Sequence, residues 1–348
     1  MPPPSADDAA SFETWRGLLF GIAYRMLGSA TDAEDMVQEA YLRWVRRSDH
    51  QVESVRAYLV TIVTRLCIDH LASARVQRVS YAGPWLPEPV MADPPSGAEQ
   101  ADSLTMAFLV LLEELTPPER AAFLLHDIFG YPFDEVARSV GRTATSCRQL
   151  ASRARRHIDQ RRQRFDADPR HGLELTREFM VACGSGDLDR LLGLLADDVV
   201  VWTDGGGKVR AAMRPVVGAY RSSRFLLNVA KKVHGVPREA TLNGQPALVF
   251  FDGACVASVL VLDISGGKIV AVRTVSNPDK LARLNREFAE VRPNGDEIPR
   301  LENEAGPASQ EAGGYEPETG SERPTVETVS VDQTVSMEQT GPMEQTGP

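Results

Sequence analysis

The DGGGK stretch at 204–208 is the first feature that indicates chemistry, because contiguous glycines beside a lysine could cradle a phosphate. A Walker-type loop requires G-x-x-x-x-G-K followed by Ser or Thr, between a strand and a helix. Here Val209 follows Lys208 and no clear helix begins there, so the sequence disfavours a nucleotide site. A two-residue hairpin turn does not need three glycines, and each extra one adds chain entropy. We therefore predict that another surface approaches this backbone closely near Trp85, with Asp204 and Lys208 as charged anchors.

A basic helix predicted from about Ala144 indicates nucleic-acid binding. From Gly141 to Arg164 there are eight arginines against one acid, in a chain whose net charge is −10. Its apolar stripe is Cys147, Leu150, Ala151, Ala154 and Ile158. The opposite face carries residue types that read base edges, namely Arg148, Gln149, Ser152, Arg153 and Arg156. Phosphates could be held by Arg142, Arg155 and the RRQR cluster at 161–164. The alternative is a basic helix that is merely solvated.

Metal and disulfide chemistry are not indicated. Cys67, Cys147, Cys183 and Cys255 lie far apart, without a CxxC pair or a histidine at metal-ligand spacing. We expect buried thiols, no metal and no cofactor.

Helices and a linker position the basic helix. Residues 12–78 show helical periodicity, with Gly28-Ser29 separating the first two helices. The segment 83–103 carries five prolines and no basic residue, which predicts a linker. A helix over 104–115, a capping box with prolines at 116–119 and a turn at Gly141 then precede the basic helix, as in a helix-turn-helix.

The glycine-rich stretch belongs to a different kind of domain. Two helices are predicted from 171, a long helix over Pro215–Lys232, and strands at 199–202, 238–242, 247–251, 256–264 and 269–275. Asn243-Gly244 and Gly266-Gly267 are predicted hairpin turns, and Asn277-Pro278 a helix start. The pattern predicts an α+β domain with an antiparallel meander curved around the long helix.

Composition leads to two expectations, one about the cellular location of the protein and one about the structure of its C-terminal region. The N-terminal segment is acidic and proline-rich, which argues against a signal peptide, and the longest apolar runs are too short for a spanning helix. We therefore expect a cytoplasmic protein without membrane contact. Residues 291–348 hold three arginines against twelve acids and end in a tandem MEQTGP repeat, which predicts a disordered tail. The tail could compete with DNA for the basic helix, or simply solvate the chain.

Several motifs resemble the extracytoplasmic-function (ECF) sigma factors. The resemblance lies in residues 29–47, 55–78 and 117–158. WLPEP at 85–89, DGGGK at 204–208 and NPDKL at 277–281 are similar to the subgroup called ECF41, with a SnoaL-like (NTF2-like) C-terminal domain. The resemblance covers about 290 of the 348 residues. It implies an all-α sigma-2 domain (10–82), a linker (83–103), an all-α sigma-4 helix-turn-helix domain (104–165), an α+β SnoaL-like domain (171–290) and the tail (291–348).

The resemblance implies partners and residue roles. The partners are the β and β′ subunits of core RNA polymerase and promoter DNA, and the fused domain would replace a separate anti-sigma factor. The core-binding candidates are Asp32, Glu34, Asp35, Gln38 and Glu39, although the helix dipole alone could explain these acids. The minus-10 candidates are Arg65, Asp69, His70, Arg75 and Arg78, with the loop 46–54 as a pocket for a flipped base. The minus-35 candidates are Arg142, Arg148, Gln149, Ser152, Arg153 and Arg156.

The three motifs are candidates for regulation between domains. The first set is Trp85, Leu86, Pro87, Glu88 and Pro89, in which prolines hold an exposed Trp85 on an extended strut, although a plain spacer is the alternative. The other two sets are Asp204, Gly205, Gly206, Gly207 and Lys208, and Asn277, Pro278, Asp279, Lys280 and Leu281.

Two other functions remain open. One is a helix-turn-helix regulator that senses a small ligand through its third domain. The other is an enzyme, since relatives of the SnoaL-like fold use acid–base pairs. The candidates there are Trp202, Asp204, His234 and Asp252, but no spacing joins them into a site, so no catalysis is expected.

Overall fold

The computed structural model describes residues 6–47, 52–78, 81–91, 103–161, 169–232 and 237–290. The predicted tail (291–348), His234, residues 162–164 of the RRQR cluster and residues 48–51 of the predicted base pocket lie outside the described residues. None of the described helices has both the length and the apolar character needed to cross a membrane.

The first domain consists of helices α1 (Ala6–Leu27), α2 (Ala30–Val45) and α3 (Val55–Arg78). Gly28 separates the first two helices with a φ of 66°, a conformation that glycine adopts without steric cost. Ser29 caps α2, because its side chain accepts a hydrogen bond from the N–H of Asp32. The helices predicted over 12–78 are therefore confirmed.

The second domain contains α4 (Met106–Glu113), α5 (Pro117–Phe123) with a π-helical turn (Leu124–Ile128), α6 (Phe133–Val140) and α7 (Ala144–Arg161). The capping box between Thr116 and Glu119 forms, and Gly141 is left-handed with a φ of 73°. The five residues of the predicted apolar stripe of α7 are all buried. One continuous apolar core joins the first and second domains.

The third domain combines helices with one six-stranded sheet. Its helices are α8 (Pro169–Ser185), α9 (Leu188–Leu194), α10 (Ala219–Ala230) and α11 (Pro278–Glu290). Its strands are β1 (Leu195–Asp204), β2 (Val216–Val217), β3 (Arg238–Leu242), β4 (Gln245–Asp252), β5 (Cys255–Ser265) and β6 (Lys268–Val275), in the order β2-β1-β6-β5-β4-β3. The α+β class and both predicted hairpins are confirmed.

Two details of the predicted third domain are wrong. The sheet is not a pure meander, because β1, the second strand in the sheet, runs parallel to its neighbour β6. The long helix begins at Ala219 rather than Pro215, because Val216 and Val217 pair with β1 and Gly218 has a φ of 93°. Two β-branched residues followed by a glycine in that conformation favour a short edge strand over a helical turn.

The two faces of the sheet have different partners. One face packs on helices of its own domain, through an apolar cluster that includes Phe179 and Leu226. The other face forms a cluster with Leu86 of the linker and Met106 of α4, and with Leu281 of α11. The third domain thus shares an apolar core with residues of the sigma-like part of the chain.

The expectation that all four cysteines are buried is only partly correct. Cys67 and Cys147 are buried as predicted, Cys183 is half-buried, and Cys255 is exposed at the beginning of β5. Burial raises the pKa of Cys183 to about 12, so this thiol is not activated as a nucleophile.

Candidate functional site: the interface between linker and sheet

The described segment 81–91 adds Tyr81 and Ala82 to the start of the predicted linker and lies between the first domain and the third. Residues 86–90 are all buried, and Leu86 is 0% exposed. Trp85 is half-buried rather than exposed, since its ring lies 4.2 Å from Nζ of Lys280. A Cβ added at Gly28 would be 2.6 Å from Cη2 of Trp85, so the ring also packs on the turn before α2. We call residues 81–90 and their hydrogen-bonding partners the linker interface.

Asp204 at the end of β1 is the central polar group of the linker interface. Its side chain is fully buried, and Oδ2 accepts a hydrogen bond of 2.8 Å from the N–H of Leu86. Oδ1 accepts hydrogen bonds from the hydroxyl of Tyr81 at 2.6 Å and from the N–H of Gly206 at 3.0 Å. Such partners offset the cost of burying a carboxylate.

Lys280 in the first turn of α11 supplies the opposite charge. Its Nζ lies 2.7 Å from Oδ2 of Asp204 and also donates to the carbonyl of Leu86. Only 8% of this side chain is exposed, so the ion pair is effectively removed from water. Leu86 is therefore held at its N–H by one charged residue and at its carbonyl by the other.

The glycines of DGGGK allow the close approach that the sequence predicts. Gly206 and Gly207 have φ values of 60° and 71°. A Cβ at Gly207 would lie 2.9 Å from Cβ of Ala82 in the linker, and one at Gly206 would lie 2.2 Å from Nδ2 of Asn277. The glycine nearest the linker is thus Gly207, whereas Gly206 accommodates a side chain of its own domain.

Lys208 corrects part of the anchor hypothesis. It is exposed and forms a 2.6 Å ion pair with Asp279, in the first turn of α11. Both residues belong to the third domain, so Lys208 contributes to the shape of the loop, and it forms no ion pair or hydrogen bond with the described linker residues 81–91.

Glu88 connects the linker to α2. Its carboxylate accepts hydrogen bonds from Oγ of Ser29 at 2.8 Å and from the N–H groups of Ala30 and Thr31 at 2.9 and 3.1 Å. Negative charge at a helix N-terminus is stabilised by these unpaired N–H groups and by the dipole. Burial nevertheless raises the pKa of Glu88, and the hydrogen bonds only partly oppose this effect.

Asn243 is a residue of the linker interface that the sequence alone did not identify. Its Nδ2 donates to the hydroxyl of Tyr24 at 2.6 Å and to the carbonyl of Leu104 at 3.2 Å. Its Oδ1 accepts from the N–H of Val90, and its N–H donates to the carbonyl of Val90. The Asn-Gly signal predicts only a hairpin turn, yet this fully buried side chain contacts α1, the linker and the segment before α4.

Several acidic side chains on α2 lie beside basic side chains of the same protein. Glu34 pairs with Arg16 at 2.6 Å and with Arg283 of α11 at 3.2 Å. Asp32 lies 3.6 Å from His70, and Glu39 pairs with Arg43 in the next turn of α2. Exposed side chains on this face are Asp35 and Gln38.

The structure describes the side chains of three of the five minus-10 candidates on α3. Arg65 donates to the carbonyls of Arg138 at 2.8 Å and Ser139 at 3.4 Å, at the end of α6 in the second domain. Asp69 is exposed, and His70 faces Asp32. The side chains of Arg75 and Arg78 lie outside the described part of the chain.

The outer face of α7 is open, as the helical pattern predicts. All six minus-35 candidates are exposed. Arg153 forms a 2.8 Å pair with Glu119, and the guanidinium of Arg148 lies 5.4 Å from the ring centroid of Phe133. Arg155, a possible phosphate contact, pairs with Asp127 at 2.6 Å.

Asp204 and Asp252, the two acidic candidates for catalysis that the structure describes, are not brought together. Both carboxylate oxygens of Asp204 are engaged at the linker interface. Asp252 is exposed at the end of β4, and two strands separate β4 from β1 in the sheet.

Comparison with known proteins adds sequence and structural relatives. Two family models match this chain. The model of Sigma-70 region 2 matches residues 11–76, and the model described as "Sigma-70, region 4" matches residues 105–158. The ECF RNA polymerase sigma factor SigJ of Mycobacterium tuberculosis strain H37Rv is 37% identical over 306 residues, which cover 83% of this chain and 97% of the relative. The probable ECF RNA polymerase sigma factor SigI of the same species, strain CDC 1551, is 36% identical over 285 residues, covering 80% and 97%.

A solved structure agrees over the same extent. The crystal structure of the M. tuberculosis extracytoplasmic function sigma factor SigJ superposes with a TM-score of 0.63 at 34% identity. The superposition covers 79% of this chain and 98% of that one, so it includes most of all three domains.

Proposed function

This chain belongs to the extracytoplasmic-function family of RNA polymerase sigma factors, and from that premise we propose that its third domain holds the two sigma domains in an inactive, closed arrangement. The family function is promoter-specific initiation of transcription, which makes core RNA polymerase and promoter DNA its partners. The proposed regulation adds an intramolecular inhibitor to that activity.

The observation that carries the proposal is the buried hydrogen-bonded pair of Asp204 and Lys280, which holds both backbone groups of Leu86. The linker joins the two sigma domains, so fixing its backbone restricts their separation. The apolar cluster around Leu86 and Met106 extends the same contact to α4 of the second domain.

Contacts at the proposed functional surfaces support inhibition rather than activation. Arg283 of the third domain pairs with Glu34, one of the residues proposed to bind the polymerase. Arg65, proposed to contact the minus-10 strand, is hydrogen bonded to α6 of the second domain. On this proposal, Glu34 must break its ion pair with Arg283 before it binds polymerase. Arg65 must likewise break its hydrogen bonds to α6 before it binds the promoter.

The exposed surfaces have separate proposed roles. The open face of α7 reads the minus-35 duplex, because arginine and glutamine side chains suit base edges in the major groove. Asp35 and Gln38 remain available for a first contact with the polymerase, since both are exposed. The third domain acts in place of a separate anti-sigma factor, a proposal supported by its contacts with Leu86 of the linker. Asp204 acts there as a structural group and not as an acid or base, since both of its carboxylate oxygens accept hydrogen bonds.

In-vitro transcription with purified core polymerase tests the inhibitory role. We expect Gly207→Ala to increase promoter-specific transcript, because the added Cβ collides with Ala82 and weakens linker docking. Gly253→Ala is the matched control, since Gly253 also has positive φ, at 58°, but has no neighbour within 4 Å of an added Cβ. Equal activity of the two variants would contradict the proposal, and absence of any promoter-specific transcript from the parent protein and both variants would contradict the sigma activity itself.

A further inference from the structure

A second basic segment lies in the third domain, far along the chain from the helix-turn-helix. Residues 205–232 contain seven Lys and Arg residues and no Asp or Glu. The rest of 171–290 contains eight basic residues against thirteen acids, so the positive charge is concentrated in this segment. The third domain is therefore strongly polarised although its total charge is small.

All seven side chains are exposed, and six of them form no ion pair with an acidic side chain in the part of the chain that the structure describes. Lys208, the seventh, pairs with Asp279. We call these six the basic surface: Arg210, Arg214, Arg221, Arg224, Lys231 and Lys232.

Helix α10 arranges part of the basic surface as a row. Arg221, Arg224 and Lys231 follow one another at helical spacing on the exposed side, whereas Ser222, Ser223 and Leu226 are buried. Ten residues of helix extend about 15 Å, which spans roughly four phosphates of one DNA strand. Adjacent cations thus have the spacing needed to contact several phosphates at once.

The composition of this side favours a nucleic acid over mere solvation. Solvated helix faces commonly alternate charges of both signs, and none of the acidic partners expected at i±3 or i±4 is present here. The guanidinium of Arg224 lies 5.8 Å from the ring centroid of Tyr220, which is itself 56% exposed. Arginine and tyrosine are suited to phosphate and sugar contacts.

We propose that the basic surface binds the phosphate backbone of duplex DNA without reading its sequence. This contact is separate from the proposed inhibitory role of the third domain and from the minus-35 face of α7. It gives the protein a second electrostatic contact with the duplex to which its sigma domains bind.

Fluorescence anisotropy of the full-length chain with a labelled duplex lacking promoter sequence tests the proposal. We expect Arg221→Gln/Arg224→Gln to weaken binding to all sequences alike. The slope of log K against log salt should fall by about 2, since each lost phosphate contact removes about 1. Glutamine has a helix propensity close to that of arginine, so folding should be retained. Arg224→Glu, which reverses one charge, should weaken binding further than Arg224→Gln.

The matched control is Arg177→Gln/Arg286→Gln, which removes the same charge from the same domain. Arg177 is paired with Glu239, and Arg286 lies on α11 outside the basic surface. Equal losses in both double variants would show a general charge effect and overturn the proposal, as would unchanged binding in the first. Unchanged DNA binding with weaker assembly on core polymerase would assign the surface to an acidic protein partner and also overturn it.

Discussion

At the scale of single residues, the linker interface depends on buried charge. Asp204 satisfies both carboxylate oxygens with hydrogen bonds, and Lys280 neutralises it inside the interface. A buried pair of this kind adds little net stability compared with apolar side chains, but the loss of one partner is costly. We infer that the pair sets the position of the linker, because it engages the backbone N–H and the carbonyl of the same residue, Leu86.

Asp204→Asn should open the linker. The substitution removes the carboxylate that neutralises the buried Lys280, which costs about 3 kcal/mol. At 1.4 kcal/mol per tenfold, amide hydrogen exchange over residues 81–90 should accelerate by roughly 100-fold, if opening remains fast. Exchange in β5 should stay unchanged, and Asp252→Asn at an exposed position is the control. Unaltered protection of the Leu86 amide would contradict the role assigned to the pair.

Glu88 should make docking depend on pH. Burial raises the pKa of Glu88 in the docked linker, so the docked state binds protons more tightly than a solvated linker does. Docking should be strongest near or below the ordinary glutamate pKa and should weaken as pH rises through the raised value. Hydrogen exchange corrected for its intrinsic pH dependence measures this change. Glu88→Gln should remove the dependence, and an identical profile in that variant would exclude Glu88 as its source.

At the scale of elements, helix α11 connects the linker interface to the face of α2 that is proposed to bind the polymerase. Its first turn carries Lys280 at the linker, and one turn later Arg283 reaches Glu34 on α2. Residues 280 and 283 share one side of the helix because their spacing is close to one helical turn. Displacing α11 would therefore release the linker and uncover Glu34 together.

Arg283→Gln should raise affinity for core polymerase. The pair with Glu34 is partly exposed and contributes about 0–1 kcal/mol, so the gain is expected to be about fivefold at most. Titration of labelled protein with core polymerase measures the change. Arg286→Gln is the control, because Arg286 is an exposed arginine on the same helix. Weaker binding of Arg283→Gln than of Arg286→Gln would argue against competition for Glu34.

At the scale of the whole molecule, the first two domains pack directly on each other. Oγ1 of Thr61 on α3 lies 3.1 Å from Oγ of Ser139 on α6, beside the contact that Arg65 makes with α6. The proposed function requires this contact to open when the two domains bind separate promoter elements. On that proposal the third domain sets how readily opening occurs, because Asp204 and Lys280 hold the linker between the two domains.

A disulfide across this contact should lock the protein in the inactive arrangement. Thr61→Cys/Ser139→Cys places two sulfurs where the hydroxyl oxygens are 3.1 Å apart, close enough for a bond after small adjustment. We expect the oxidised protein to lose promoter-specific transcription and the reduced protein to regain it. Each single cysteine variant is a control, in a background where the exposed Cys255 is serine. Full transcription by the oxidised form would show that the domains need not separate.

Local features of this protein follow from its sequence. Capping residues, the apolar stripe of α7, the hairpin turns and the helix start at Asn277-Pro278 depend on neighbours in the chain, and periodicity identifies them. The DGGGK stretch also indicated close approach near Trp85, because three glycines exceed the needs of a turn. Its residue types could not show that Gly207 faces the linker while Lys208 remains in its own domain.

Tertiary structure alone decided which distant groups meet. The side chain of Asn243 is hydrogen bonded to Tyr24, which is 219 positions away in the sequence. The side chain of Arg65, predicted to contact DNA, is hydrogen bonded to α6. Tertiary structure also placed β1 parallel to β6, a pairing between strands far apart in the chain. Spacing within a segment fixes one face of one element, but contacts between faces depend on how whole elements pack. The sequence therefore determined the helices, the strands and the side chains they carry. Packing determined which of those side chains are paired with groups on other elements.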